Sequence, residues 1–353
     1  MKQWLKIERI PGPLASSYEK ATRLAIDVYY KKVAAEIVSS FNKGVILDLG
    51  TGPGYLPIEI LKKSSDIKIV GIDLSRRLIQ LARKNAHNAG FDDRLDFQFG
   101  NSAKLRFDDA SFDMVLSTGM LHSLKAPVRV FREIHRVLKS GGQAWIYDPA
   151  KVARYIDGEK WKASLTYQDR FFLWLFTALK LLRPMKTYNR AQVTEMIRVT
   201  DFEILSIEEH KDEIKIRLKK NMTLNGKIVS GVKQGAFFAQ LDWFQEQCRE
   251  QLGFKPYAGT LNLEISTGDV LEVEALEKEA EIEFIPPDST FCSGKAFPVI
   301  VEGIRAAIVL PAEEVRVHGK NIIEIISDLK LKDALKADDG DFVTLTIAAR
   351  QSK

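Results

Sequence analysis

The chain has 353 residues, 45% of them hydrophobic and 28% charged, with a formal net charge of +5. That balance excludes a disordered chain, and the length exceeds what one ordinary core holds, so two globular domains are expected. Its two cysteines, Cys248 and Cys292, are far apart and provide neither a zinc-ligand spacing nor a disulfide framework.

The lysines near the N-terminus precede no apolar core of a signal peptide, and the longest apolar stretch, residues 171–182, falls short of the ~20 residues of a membrane span. A cytoplasmic protein without a membrane span is therefore expected. Residues 18–41 carry Leu24, Val28, Val33 and Ile37 at helical spacing and predict an amphipathic helix. Strands are predicted at 44–49, 67–72, 95–99, 112–117 and 143–147, with helices at 57–63, 76–89 and 127–138. Such alternation argues for a parallel sheet covered on both faces, a doubly wound α/β fold. Residues 154–183 interrupt it with Trp161, Tyr167, Phe171, Phe172, Trp174 and Phe176, and the aromatic stretch 167–182 suits either a lid over an apolar substrate or a packed helix. A helix at 191–199 and strands at 202–208 and 213–218 follow.

Beyond Lys220 short β-type segments recur at 226–230, 261–265, 270–276, 281–285, 296–301, 306–309 and 342–348. Only 242–252 and 322–335 read as partly helical, which is the pattern of a compact barrel. Charge changes at the same place. Residues 221–353 hold 14 Lys and Arg against 21 Asp and Glu, leaving 38 against 26 for residues 1–220 out of totals of 52 and 47. The expected domains are 1–220 and 221–353. A basic first half admits an RNA partner, but its charges are scattered as on a solvated surface. Small-molecule substrates and no DNA partner are expected.

In the first half, Asp48-Leu49-Gly50-Thr51-Gly52-Pro53-Gly54-Tyr55 lies between a strand and a helix. Glycines there let the backbone turn and approach a ligand. A dinucleotide-binding turn needs a small residue three positions after Gly52, where this chain has Tyr55. Asp48 also suits a cationic cofactor better than a diphosphate. Asp73 ends the second predicted strand, where an acid accepts ribose hydroxyls, and Gly100-Asn101-Ser102 follows the third.

These residues resemble class I S-adenosylmethionine (SAM) dependent methyltransferases. The resemblance extends to Phe112-Asp113-Met114-Val115-Leu116-Ser117-Thr118-Gly119-Met120-Leu121-His122 and to Leu138-Lys139-Ser140-Gly141-Gly142. It implies a Rossmann-like domain that binds SAM through Asp48, Gly50, Gly52, Gly54, Asp73, Asn101 and Ser117. Asn101 stands where the family often has an acid. His122 is the titratable group of the substrate-edge motif able to act as a base, or else a structural histidine.

In the second half, Ser230-Gly231-Val232-Lys233-Gln234-Gly235 is a glycine-containing loop after a strand, and Thr260 and Asn262 share one face of another. Two neutral oxygen donors can hold Mg²⁺ that also contacts phosphates. Leu252-Gly253-Phe254, Gly259-Thr260-Leu261-Asn262-Leu263, Phe291-Cys292-Ser293-Gly294-Lys295 and Asp339-Gly340-Asp341 make residues 224–350 resemble the archaeal CTP-dependent riboflavin kinases. The resemblance implies a small β-rich barrel that converts riboflavin to FMN. Thr260 and Asn262 would hold Mg²⁺, and Glu324 would contact riboflavin. Gly231, Lys233, Gly235, Leu329, Lys330, Leu331 and Lys332 would bind CTP. The loop lacks the middle glycine and glutamate of the family pattern, and Arg316 replaces a family threonine near the flavin. The alternative implication is a catalytically idle barrel that senses flavin or nucleotide.

Overall fold

The structure, a computed structural model, describes residues 10, 12–148, 158–178, 187–210, 213–231, 234–280, 282–288, 290–312 and 319–347. The chain divides into two compact units, Met1–Lys220 and Asn221–Lys353.

The first unit is built on strands β1 (Lys43–Leu49), β2 (Asp66–Asp73), β3 (Leu95–Phe99), β4 (Phe112–Thr118), β5 (Leu138–Asp148), β6 (Phe202–His210) and β7 (Glu213–Lys220). Among the described residues they form one sheet in the order β3-β2-β1-β4-β5-β7-β6. β1 to β5 run parallel and β7 inserts antiparallel between β5 and β6. Side chains alternate along a strand, so Ile46 joins one buried cluster while Leu47 and Leu49 join the other. The flanking helices are α1 (Ala15–Leu24), α2 (Lys31–Ser40), α3 (Tyr55–Leu61), α4 (Arg76–Ala89) and α5 (Pro127–Val137). They bury apolar stripes on these faces, as Val130, Phe131, Ile134 and Val137 of α5 do. The helix expected at 18–41 is interrupted: a π-type turn at Ile26–Tyr30 separates α1 from α2.

In the second unit, β8 (Thr223–Val229), β9 (Leu261–Ile265), β11 (Gly294–Val301), β12 (Ile304–Pro311), β13 (Ile322–Ile326) and β14 (Phe342–Ile347) close into a six-stranded antiparallel barrel. β11 pairs with both β12 and β14, and β14 with β8, which removes the free edges. The short strand β10 (Ile282–Phe284) pairs with β11 outside the ring. Leu224, Ile228, Leu263, Val299, Ile308, Ile323 and Leu345 fill one buried cluster. Phe244, Cys248, Phe254 and Phe284 fill a second, with a helix over Asp242–Leu252.

One expectation is corrected here. The β-type segment at 270–276 lies in a helix, Thr267–Glu279, whose cap Ser266 accepts a hydrogen bond from the Asp269 amide. Leu271 and Val273 alternate with Glu272 and Glu274 in the manner of a strand, but Leu, Glu and Ala are strong helix formers and the N-cap decides. The segment at 322–335 is strand β13 followed, after a turn, by a short helix at Leu331–Leu335.

Each unit carries its own core, so residues 1–220 and 221–353, expressed apart, should each unfold in one cooperative thermal transition. Two insoluble fragments rescued only by co-expression would contradict this.

Candidate functional site

The carboxyl ends of the parallel strands gather the polar residues of the first unit, as open α/β sheets do. Asp48, two residues before the first loop glycine, is only 2% exposed. Gly52 and Gly54 adopt left-handed backbone with φ of +56° and +80°, which side chains other than glycine rarely take. A Cβ on Gly54 would lie 2.7 Å from the Phe97 ring. The turn is stitched to β2, because the Gly50 and Thr51 amides donate to the Ile72 carbonyl and the Gly52 amide donates to Asp73 Oδ2 at 3.1 Å. Asp73 Oδ1 accepts from the Ser75 amide at 2.7 Å, so the carboxylate is fixed from both sides.

Burial pushes the Asp48 carboxyl up to about 7, against the pull of the neighbouring Thr51 hydroxyl and with Asp73 adding to the rise. Asp48 Oδ1 and Thr51 Oγ1 are buried and have no hydrogen-bond partner among the described residues. Asn101 Oδ1 accepts from the Ala103 amide, and Ser117 Oγ donates to the Leu49 carbonyl at 3.3 Å. Gly50, Gly52, Gly54, Asp48 and Asp73 are thus brought together. Asn101 sits after β3, and Ser117 near the end of β4 is fully buried and holds β1.

Three participants escape a reading of the sequence alone. Tyr18 of α1 lies over the loop, its ring 3.5 Å from where a Gly52 Cβ would stand. Desolvation and the nearby carboxylates of Asp73 and Asp48 raise its phenol to about 12. Tyr55, at the position that argued against a dinucleotide, shares a hydrogen-bond network with Glu19 and Arg23 of α1 and so fastens that helix to the loop. Asp148, the last residue of β5, is fully buried and accepts from both the His122 amide, at 2.9 Å, and His122 Nδ1, at 3.0 Å. A third acid at a strand end was the available signal for Asp148; its partner was not visible. The helix Tyr167–Ala178 is fastened to α1 through Asp169, which accepts from Ser17 and Lys20. Residues 179–182 of the expected aromatic stretch lie outside the described residues.

In the barrel, Asn262 of β9 stands in register with Glu324 of β13 on one side and Val229 of β8 on the other. The loop after β8 therefore lies beside it, and a Cβ on Gly231 would fall 2.0 Å from Asn262 Nδ2. Asn262 is 7% exposed, and its Oδ1 has no hydrogen-bond partner among the described residues. Thr260 is half-buried just ahead of β9. Asp339 accepts from Ser230 at 2.6 Å and pairs with Lys332, which ties the helix Leu331–Leu335 to the glycine loop and holds the Asp339 carboxyl below its ordinary range. Lys330 pairs with Asp333 at 2.9 Å, Leu329 is exposed and Leu331 is buried. Asn262, Gly231, Glu324 and Lys332 thus belong to one neighbourhood. Gly235 lies in a short helix at Gln234–Phe238. Lys233, Arg316 and His318 lie outside the described residues. Among the described residues no cluster of three or more His, Cys, Asp or Glu side chains is arranged to hold a metal, and no helix is long and apolar enough to cross a membrane.

Residues 228–347 match the family model CTP-dep_RFKase, described as a domain of unknown function, DUF120. Residues 40–192 match a family model described as a methyltransferase domain. The chain is 40% identical over 128 residues to the riboflavin kinase of Archaeoglobus fulgidus, an overlap of 35% of this chain and 54% of that protein. It is 33% identical over 182 residues to the riboflavin kinase of Ignicoccus hospitalis, covering 49% of this chain and 92% of that protein. It thus spans about half the length of the first relative and nearly all of the second. Among solved structures, a SAM-dependent methyltransferase from Aquifex aeolicus superposes with a TM-score of 0.40 at 18% identity, covering 54% of this chain and 89% of that one.

Proposed function

The chain belongs to the riboflavin kinase family, and from that premise we propose a bifunctional transferase: SAM-dependent methylation of a small acceptor in the first unit and CTP-dependent phosphorylation of riboflavin to FMN in the second. The observation that carries the kinase half is the meeting of Asn262, Glu324 and the Gly231 loop inside the segment matched by the kinase family model. The orphaned Asn262 Oδ1, with Thr260, fits Mg²⁺, which accepts neutral oxygen donors and retains phosphates and water in its shell. When bound, the ion supplies charge neutralisation for phosphoryl transfer. Glu324 would hold riboflavin, and Lys332 beside the loop would meet the nucleotide phosphates. The full chain with riboflavin, Mg²⁺ and either CTP or ATP is the test. FMN from CTP and not from ATP is expected; FMN from ATP alone would reject the nucleotide choice. Riboflavin binding without FMN under either nucleotide would leave a sensing barrel.

In the first unit, Asp73 would accept the SAM ribose hydroxyls, Asn101 would meet the adenine, and the turn from Gly50 to Gly54 would approach the cofactor backbone to backbone. The buried Asp48 carboxyl, beside Thr51, suits the ammonium of the amino-acid end of SAM. This gives a pH prediction. The free Asp48 carboxyl, raised to about 7, is largely protonated at about pH 6, whereas a cationic ligand favours the carboxylate. SAM binding should therefore release a proton near pH 6 and none well above 7, and affinity should rise with pH and level off. Calorimetry in two buffers of different ionisation enthalpy measures this; no proton release at about pH 6 would contradict it.

A further inference from the structure

The order of the sheet gives the first site a direction. Asn101 after β3 and Asp73 on β2 lie on one side of β1, while Met120 and His122, after β4, and Asp148, the last residue of β5, lie on the other. If the adenosine is held at β2 and β3, its reactive end points toward β4 and β5. The turn after β4 borders the glycine loop directly, since a Cβ on Gly50 would stand 3.2 Å from Met120 Sδ. His122 is two residues further on, in the turn Leu121–Ser123.

His122 is held in a defined way. Asp148 Oδ2 accepts its backbone amide and Asp148 Oδ1 receives its Nδ1–H. Asp148 is wholly buried, whereas the His122 side chain retains 18% exposure. A carboxylate on Nδ1 fixes the tautomer that leaves the Nε2 lone pair open. Among the described residues Nε2 has no hydrogen-bond partner, and Asp148 is the one ionisable side chain to which His122 is hydrogen-bonded. A histidine serving only to pack needs no buried carboxylate as its partner.

We propose that His122 is the general base of methyl transfer, positioned by Asp148, and that the acceptor is a hydroxyl of phenol-like acidity. This deepens the methyltransferase reading and rests on it. An oxygen lone pair of the acceptor attacks the methyl carbon, and the carbon–sulfur bond breaks with its electron pair going to sulfur, which gives S-adenosylhomocysteine. The hydroxyl proton passes to His122 Nε2, and the imidazolium is stabilised by the Asp148 carboxylate. The acceptor class follows from what requires such a base. Among aryl acceptors, a neutral aromatic amine attacks with its own lone pair, and a thiol, with an ordinary value near 8.5, ionises readily. A phenol, near 10, stays protonated at neutral pH and gains from a base that takes its proton as the oxygen attacks.

The experiment uses the full chain, methyl-labelled SAM and four probes that share one ring: phenol, aniline, thiophenol and benzoate, with 4-nitrophenol as an already acidic phenol. SAM affinity is measured alongside by calorimetry. Label on phenol is expected. With phenol, His122→Gln should lower kcat by about 100-fold or more and Asp148→Asn by at least about tenfold. With 4-nitrophenol both variants should approach the wild-type rate, because that acceptor arrives ionised. SAM affinity should stay unchanged in both, which separates lost chemistry from a lost fold. Label on aniline, thiophenol or benzoate in preference to phenol, or on none of the probes while SAM binds, would overturn the proposal. So would equal losses on phenol and 4-nitrophenol. Failure of the wild-type chain to bind SAM would instead reject the methyltransferase reading beneath it.

Discussion

Asn262→Ala should abolish FMN formation from riboflavin and CTP while leaving riboflavin binding nearly intact. Phosphoryl transfer depends on in-line positioning and on neutralising the charge of the transferring group, more than on a strong base. A metal ion supplies several kcal/mol of that stabilisation, which corresponds to at least about 100-fold in rate. Asn262 is the buried oxygen donor in this part of the barrel whose Oδ1 has no hydrogen-bond partner among the described residues. Gly231→Ala should produce the same loss by another route. Its new Cβ would fall 2.0 Å from Asn262 Nδ2, so the amide must give way. Glu324→Ala should do the reverse, damaging riboflavin binding first. Flavin fluorescence reads binding and chromatography of FMN reads turnover. Wild-type turnover in Asn262→Ala would remove Asn262 from the metal site.

Asp73→Ala should weaken SAM about 10- to 100-fold. A hydrogen bond to a charged group contributes roughly 1.5–3 kcal/mol, and Asp73 is already aimed by the Gly52 and Ser75 amides. Those amides also oppose the upward push of burial on its carboxyl, keeping an acceptor available to the ribose. Asp73→Asn should fall between the two, since it retains the shape and one acceptor. Unchanged affinity in Asp73→Ala, measured by calorimetry, would place the ribose elsewhere.

The parallel part of the first sheet was legible because buried parallel strands are short β-branched runs separated by helices, and 44–49, 67–72 and 112–117 read so. The glycine turn and the two acids could be located for the same reason: their place at the strand ends follows from their position along the chain. What sequence could not supply was adjacency across it. His122 and Asp148 are 26 residues apart, and only the pairing of β4 with β5 joins them. Ser230, Lys332 and Asp339 meet because the barrel closes. The helix Thr267–Glu279 is hidden in the sequence because Leu271 and Val273 alternate with acids like a strand over a short window. The break at Ile26–Tyr30 leaves no mark in a helical periodicity that continues on both sides of it.

A chain that carries two separate transferase sites should bind SAM and form FMN independently. The most direct measurement is a SAM titration of the full chain, before and after addition of riboflavin, CTP and Mg²⁺, with FMN assayed in the same sample. One SAM per chain, not displaced by CTP, together with FMN formation, is the predicted result. Displacement of SAM by CTP, or SAM binding with no FMN formed, would contradict it.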